Sequence, residues 1–219
     1  MYNLNNWVIV FDIDDTIISE NEYKQSGIKA IEKMLNEVYD INTNNKIICA
    51  HRNGTKDLLA FACDEFKLSE SIKESMLWVY RLHRPKISIY SGLEKIIKKL
   101  IAMEAKLAFL SDGRSFSQRL KLNSIGLQNF PLYISEDYVD EKPGIKRFLA
   151  IQRRWPGYNY SYIADNSSKD FDAPRQLNWL AIGANWVKDR IHPINKKGIQ
   201  PEEWLNNPDQ IIPCIINRD

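Results

Sequence analysis

At 219 residues, with 44% hydrophobic and 26% charged side chains, the chain has the balance of a globular protein that buries a real core, as one domain or as a core with a modest insertion. A formal net charge of +2 gives no electrostatic case for nucleic acid or a membrane surface as partner. Three cysteines (Cys49, Cys63, Cys214) and three histidines (His51, His83, His192) are scattered without ligand spacing, which argues for reduced thiols and against a disulfide framework or a zinc site.

The N-terminus is polar from Tyr2 to Asn6, and the apolar run after it meets no small-residue cleavage site. No stretch approaches the roughly 20 apolar residues of a bilayer span, so the expected location is the cytoplasm. That first run, Trp7 to Phe11, is strand-like and breaks abruptly into Asp12, Asp14, Asp15 and Thr16. Asp is disfavoured inside a strand, so the acids belong at its carboxyl end, the edge where α/β sheets bind ligands. Like charges this close repel, burial would raise their pKa values, and a cation would relieve the cost. A turn of solvated acids is the plain alternative.

From about Tyr23 to Arg84 the apolar residues recur at helical spacing. Ile28, Ile31, Met34, Leu35 and Val38 form one face. Leu58, Leu59, Phe61, Ala62 and Phe66 form another, and Ile72, Met76, Leu77, Val79 and Tyr80 a third, with Ser69 as a candidate cap. Polar breaks at Asn42–Asn45 and Arg52–Thr55 separate them. Residues 18–87 therefore read as a small helical unit inserted into a core made of 1–17 and 88–219. An insertion emerging from the carboxyl edge of a sheet is well placed to cover a site there; a stabilising decoration is the alternative.

Pro85 ends the helical texture and Ile87–Tyr90 is an extended bridge. From there strand and helix alternate: a helix face at Leu93, Ile96, Ile97 and Leu100, a strand at Lys106–Leu110 and a helix at Ser115–Leu122. A brief strand at Leu132–Ile134, a helix at Gly144–Arg153, a strand at Tyr160–Ala164 and a last strand at Trp179–Ile182 follow. Such alternation indicates an α/β, Rossmann-like parallel sheet with helices on its faces. The Pro-rich stretch after Arg190 reads as irregular chain packed along the core.

Three later segments repeat the pattern of an apolar strand or helix edge meeting polar groups. Leu110 runs into Ser111, Asp112, Gly113 and Arg114, a loop whose free N–H groups suit an anion, although Ser111 or Asp112 could equally cap the helix. Lys142 precedes Pro143 at a helix start, where a lone lysine is ordinarily solvated. Ala164 runs into Asp165, Asn166, Ser167, Ser168, Lys169 and Asp170, again acids at a strand end.

Taken in order, Asp-x-Asp-Asp-Thr, Ser at a strand end, Lys-Pro, then Asp-x-x-x-x-Asp at a strand end resembles the haloacid dehalogenase-like hydrolases. The resemblance covers essentially the whole core, and the insertion occupies the position of that family's helical cap. It implies that Asp12 is the nucleophile taking the phosphoryl group and that Asp14 is the general acid and base. Spacing of two lets both side chains face one substrate. Ser111 and Lys142 would hold the phosphoryl oxygens, with Asp112, Gly113 and Arg114 in the same loop system. Mg²⁺ would be held by Asp12, the backbone carbonyl of Asp14, and Asp165. Thr16, Asp15 and Asp170 would support the loop, orient Lys142 or hold metal-bound water.

Two departures are Ala164, where the family often has Gly, and Asn166, where some members have a second Asp. An Asp at position 14 points within the resemblance to phosphomonoester hydrolysis or a phosphomutase rather than dehalogenation. A small phosphorylated metabolite, with a sugar phosphate the leading guess, is the implied substrate. Glu20, Tyr23, His51, Arg52 and Arg114 are candidate contacts in or near the helical unit. The phosphomutase and a non-catalytic binding module are the competing readings. The module fits less well, because none of Asp12, Asp14, Lys142 and Asp165 is missing.

Overall fold

Six strands form a single parallel sheet: β1 (Trp7–Phe11), β2 (Lys106–Ser111), β3 (Leu132–Ile134), β4 (Asn159–Ala164), β5 (Leu180–Ala184) and β6 (Glu203–Leu205), in the order β3-β2-β1-β4-β5-β6. The computed structural model describes residues 3–218 apart from 167, 168, 192, 195 and 196, so Ser167, Ser168 and His192 lie outside the described residues. β1 and β5 are buried along their whole length, β2 through its last five residues and β4 through its last four. Continuous apolar strands rather than alternating ones are what a parallel sheet covered on both faces requires. The strand order reverses between β1 and β4, the arrangement that opens a crevice at the carboxyl edge. Phe11 pairs with Phe109 of β2 and Ile163 of β4, so the chain leaves all three strands at nearly the same height.

The sixth strand corrects the sequence reading, which ended the sheet at Trp179–Ile182 and left the chain after Arg190 irregular. β6 is three residues long, too short to show a period of two, and its signal is tertiary. A side chain at Gly183 of β5 would place its Cβ 2.3 Å from the Trp204 ring of β6, so only glycine lets the two strands approach. Trp204 also stands edge-on to Phe171 at 5.9 Å.

Residues 21–87 form a unit with its own core, apart from the unit of 1–20 and 88–219. Its helices are α1 (Glu20–Val38), α2 (Lys46–Arg52), α3 (Leu58–Phe66) and α4 (Glu70–Leu82). Ile28, Ile31, Leu35, Ile47, Ile48, Ala62 and Met76 make its buried cluster. Glu32 is buried on α1, and one of its oxygens accepts from the N–H groups of Ile47 and Ile48 at 3.0 and 3.2 Å. A carboxylate there satisfies orphan donors and complements the dipole of α2. Ser69 stands at the start of α4 as expected, but its hydroxyl meets Ser71 Oγ at 2.8 Å and caps nothing.

In the sheet unit the helices are α5 (Leu93–Ala102), α6 (Ser115–Ser124), α7 (Ser135–Tyr138), α8 (Lys146–Arg154), α9 (Asp172–Gln176) and α10 (Ile211–Ile216). Val8, Val10, Ala108, Phe148, Tyr162 and Trp179 belong to a cluster on one face of the sheet. Phe148 sits edge-on to both Tyr162 and Trp179 at 5.1 and 5.2 Å. The helix expected from Gly144 starts two residues later, at Lys146, because Gly144 N–H instead closes a turn onto Glu141 O at 2.7 Å. Among the described residues no helix is long and apolar enough to cross a membrane.

Candidate active site

The carboxyl ends of β1, β2 and β4 bring the acidic segments together. Asp12 follows β1 directly and its N–H still bonds Ile163 O of β4 at 2.8 Å, which pins the first acid to the sheet. Beyond it the chain coils, with Ile13 O accepting from Thr16, Ile17 and Ile18, and Asp15 in the left-handed region at φ 51°. An Asp tolerates that region better than most residues because its short side chain can bond locally, and here Asp15 Oδ1 accepts from Glu20 N at 2.9 Å. Thr16 is buried, and its carbonyl takes the Trp186 indole N–H at 2.9 Å.

Oxygens of Asp12, Asp165 and Asp170 lie within 4.8 Å of one another. Lys142 reaches into this cluster, 2.8 Å from Asp12 Oδ2 and 2.7 Å from Asp170 Oδ1, with its side chain only 3% exposed. The lysine is therefore not the solvated one that surface statistics suggest. Burial works against its ammonium, but Asp12 and Asp170 outweigh that and hold its pKa well above the ordinary lysine value. The acids remain under-compensated. Burial, with Asp170 adding to it and Lys142 opposing, pushes Asp12 up to about 6. Burial and the Asp12 and Asp170 charges push Asp165 up to about 8 against the pull of Arg190. Three clustered hard oxygens with excess negative charge are a fit for a small divalent cation.

Asp14 is held apart from that cluster. Lys121 Nζ of α6 lies 2.7 Å from each of its two oxygens, and Gln118 Nε2 donates to Oδ2 at 3.1 Å. Burial alone would raise this carboxyl, but the Lys121 charge and these hydrogen bonds prevail and hold it below the usual carboxylate range. The carboxylates that stand close to one another are thus Asp12, Asp165 and Asp170. Asp170 pairs with Lys142 Nζ at 2.7 Å, as a residue that orients the lysine would, and also stands within reach of the Asp12 and Asp165 oxygens, while the side chain of Asp14 turns to α6.

Ser111 is buried at the end of β2, and neither it nor Asp112 caps α6, whose N-cap is Arg114. Arg147, fully buried on α8, donates to Ser111 O and to Asp112 Oδ1, each at 2.8 Å, while Lys142 N–H bonds the same carboxylate at 3.2 Å. This ties the β2 loop to the lysine loop. A cavity of about 280 Å³ opens here, walled by Asp12, Asp14, Ser111, Lys142, Asp165 and Asp170 and rimmed by Glu20 and Asp112 among others. Gly113 and the exposed Arg114 are not on its wall. Tyr23, His51 and Arg52 belong to the helical unit, where Tyr23 packs on Tyr80 and His83 and His51 Nε2 pairs with Asn21 Oδ1 at 2.8 Å.

Four residues went unnoticed in the sequence: Gln118, Lys121, Arg147 and Arg190. The last donates to Asp165 Oδ2 at 2.6 Å and to the carbonyls of Asp15 and Ala184 at 3.1 and 2.9 Å. A signal for the first two exists in retrospect. In α6 the apolar Phe116 is exposed while Gln118 and Lys121, three apart on one face, are buried, so the inward face carries polar groups. Nothing in the local pattern marks Arg190.

Residues 9–182 match the family model for haloacid dehalogenase-like hydrolases. Glyceraldehyde 3-phosphate phosphatase of Methanocaldococcus jannaschii is 22% identical over 231 residues, covering 95% of this chain and 96% of that protein. The magnesium-bound HAD-hydrolase YfnB of Bacillus subtilis has a TM-score of 0.67 at 18% identity, with 99% of each chain covered. The 2-haloacid dehalogenase of Pseudomonas syringae has a TM-score of 0.64 at 16% identity, with 100% of both chains covered. These structures share the fold. The activities they are named for differ, so the reaction has to be argued from side chains.

Proposed function

This chain belongs to the haloacid dehalogenase-like hydrolase family, and within it we propose a Mg²⁺-dependent, cytoplasmic phosphatase that hydrolyses a small phosphomonoester, a sugar phosphate first among candidates, through an aspartyl-phosphate. It is an enzyme of the phosphoric monoester hydrolase type, the class named for its archaeal relative. One observation carries the finer reading: a buried lysine bridges Asp12 and Asp170 beside Asp165, while the second acid of the first motif, Asp14, is held separately within the same cavity wall. A nucleophile, an anion-binding cation and a proton-transfer group are the parts phosphoryl transfer requires.

In this reading an Asp12 oxygen attacks phosphorus, and the bond to the leaving oxygen breaks as the Asp14 carboxyl gives that oxygen its proton. Asp14 then takes a proton from water as the water attacks the aspartyl-phosphate, releasing inorganic phosphate and restoring both acids. Lys121 keeps Asp14 ionised in the free chain; a phosphate dianion beside it raises its proton affinity, so substrate binding and protonation favour one another. Ser111 and Lys142 bind the phosphoryl oxygens, and Lys142 damps repulsion between the dianion and the acids. Asp12, Asp165 and Asp170 would hold Mg²⁺, with the Asp14 carbonyl as a further candidate ligand; the ion supplies charge neutralisation at the phosphoryl oxygens. A cavity of about 280 Å³ suits a small metabolite rather than a polymer.

The direct test is a panel of small phosphomonoesters with Mg²⁺. Steady release of inorganic phosphate is expected, whereas an isomerised sugar phosphate without phosphate release would replace hydrolysis by the mutase reaction.

Cation binding gives a second expectation, with a definite sign. Asp12 and Asp165 titrate near 6 and 8 in the folded chain, above their ordinary value of 3.8. An acid raised by folding stabilises the native state at low pH and loses that contribution as pH climbs through its folded pKa. Chelator-treated protein should therefore lose stability from about pH 4 to about pH 8, and added Mg²⁺ should raise Tm more at about pH 8 than at about pH 5. Equal shifts at both pH values would count against these acids as the ligands.

A further inference from the structure

We propose that Lys121, assisted by Gln118, is a positioning residue that fixes the Asp14 carboxylate in line with the leaving oxygen of the substrate. This rests on the phosphatase reading above and adds to it two residues that the strand-end motifs do not contain.

A lysine on a surface helix ordinarily extends its ammonium into water, and burying one costs several kcal/mol unless it is paired. On α6 the alternative was open, since Arg119 and Leu120 point to more exposed positions. Lys121 is instead turned inward, its side chain 5% exposed, and its Nζ stands 2.7 Å from both oxygens of Asp14. One cation equidistant from two carboxylate oxygens fixes the group's direction more firmly than a single contact does.

Gln118 completes the hold. Its Nε2 bridges Asp14 Oδ2 at 3.1 Å and Asp112 O at 3.0 Å, tying the carboxylate to the loop after β2. Gly113, at φ 110°, lies against that amide: a Cβ there would press on Gln118 Nε2 at 3.3 Å. The glycine of the loop thus keeps room for the amide rather than lining the cavity. The two lysines of the site also divide the two acids between them, Lys142 serving Asp12 and Lys121 serving Asp14.

A positioning role has a consequence that a merely structural one lacks. Proton delivery matters when the leaving oxygen is strongly basic, as in an alkyl phosphate, and hardly matters for an aryl phosphate with a nitro group. Because kcat/KM contains no step after the leaving group departs, it isolates this half of the cycle. Lys121→Met should lower kcat/KM for an alkyl phosphomonoester on the order of 100-fold, the scale of a general acid's contribution. The loss for p-nitrophenyl phosphate should be at least about tenfold smaller. Gln118→Met, which keeps the volume, should show the same asymmetry at roughly a tenth of the size, and tests the idea even if Lys121→Met folds poorly. In an Asp14→Asn background neither substitution should cost further activity.

Equal losses on the two substrates, or additive losses with Asp14→Asn, would overturn the assignment of Lys121 while leaving the phosphatase reading intact. Wild-type protein silent on both substrates would sink that reading, and this inference with it.

Discussion

Asp12→Asn should abolish turnover, by about 10⁴-fold or more in kcat, because an amide offers no carboxylate oxygen to take the phosphoryl group. The substitution is close to isosteric, so the interpretation depends on the fold surviving it. That survival is expected. Asp12 is one of three crowded acids and its carboxyl is pushed up to about 6, so near pH 8 its ionisation opposes folding in the metal-free chain. Lys142 keeps Asp170 as a partner at 2.7 Å when Asp12 is neutralised. Thermal melting in chelator should therefore show Asp12→Asn no less stable than wild type at about pH 8, alongside a lost activity. Near-normal phosphate release by this variant would remove Asp12 as nucleophile.

Lys142→Met should damage both stability and rate. The side chain is replaced at similar volume, so no large cavity opens, and what remains is charge: two buried carboxylates, Asp12 and Asp170, lose the ammonium between them. Removing one partner of a buried pair typically costs about 3–5 kcal/mol. Urea unfolding near neutral pH should show a loss of that order. The loss should shrink toward about pH 5, where Asp12 and Asp165, pushed up to about 6 and about 8 by burial, take up protons instead of standing as anions. Mg²⁺ should recover part of the stability, since it supplies positive charge to the same oxygens. Turnover should stay low even with Mg²⁺, by about 10²–10³-fold, because the cation does not replace the donor lost from the phosphoryl oxygens. A variant as stable as wild type in chelator would mean that Lys142 does not compensate these acids.

The strand-end acids were legible because they break a rule that strands otherwise obey. Asp12, Asp165 and the hydroxyl of Ser111 each end an apolar run, and a parallel sheet brings such ends to one edge without any further information. The helical unit was legible for the complementary reason, as Ile28, Ile31 and Leu35 repeat at a helical period and do form its core. What stayed hidden depends on tertiary contact. β6 is fixed by Trp204 meeting Gly183 across the sheet, and three residues carry no period. Arg190 reaches Asp165 from a stretch with no regular structure. Lys121 looks like an ordinary surface residue until burial shows what it faces, whereas Lys142, equally ordinary by surface statistics, was marked by the Lys-Pro motif of the resemblance. Helix limits moved by a residue or two for local reasons, as when Gly144 closes a turn before α8 begins.

The partition of the two lysines has a consequence for how such a fold changes its chemistry. Asp14, Gln118 and Lys121 form a compact group anchored on one helix and one loop, which in the proposed reaction serves the proton-transfer step. Asp12, Asp165 and Asp170 gather around the single ammonium of Lys142 as a separate assembly that keeps an excess of negative charge. Exchanging the first set for apolar or amide groups of the same volume would silence proton delivery without unbalancing the second. On the proposed reading, a scaffold wired this way can trade one reaction for another by rewriting a handful of codons, with the Asp12–Lys142 assembly undisturbed.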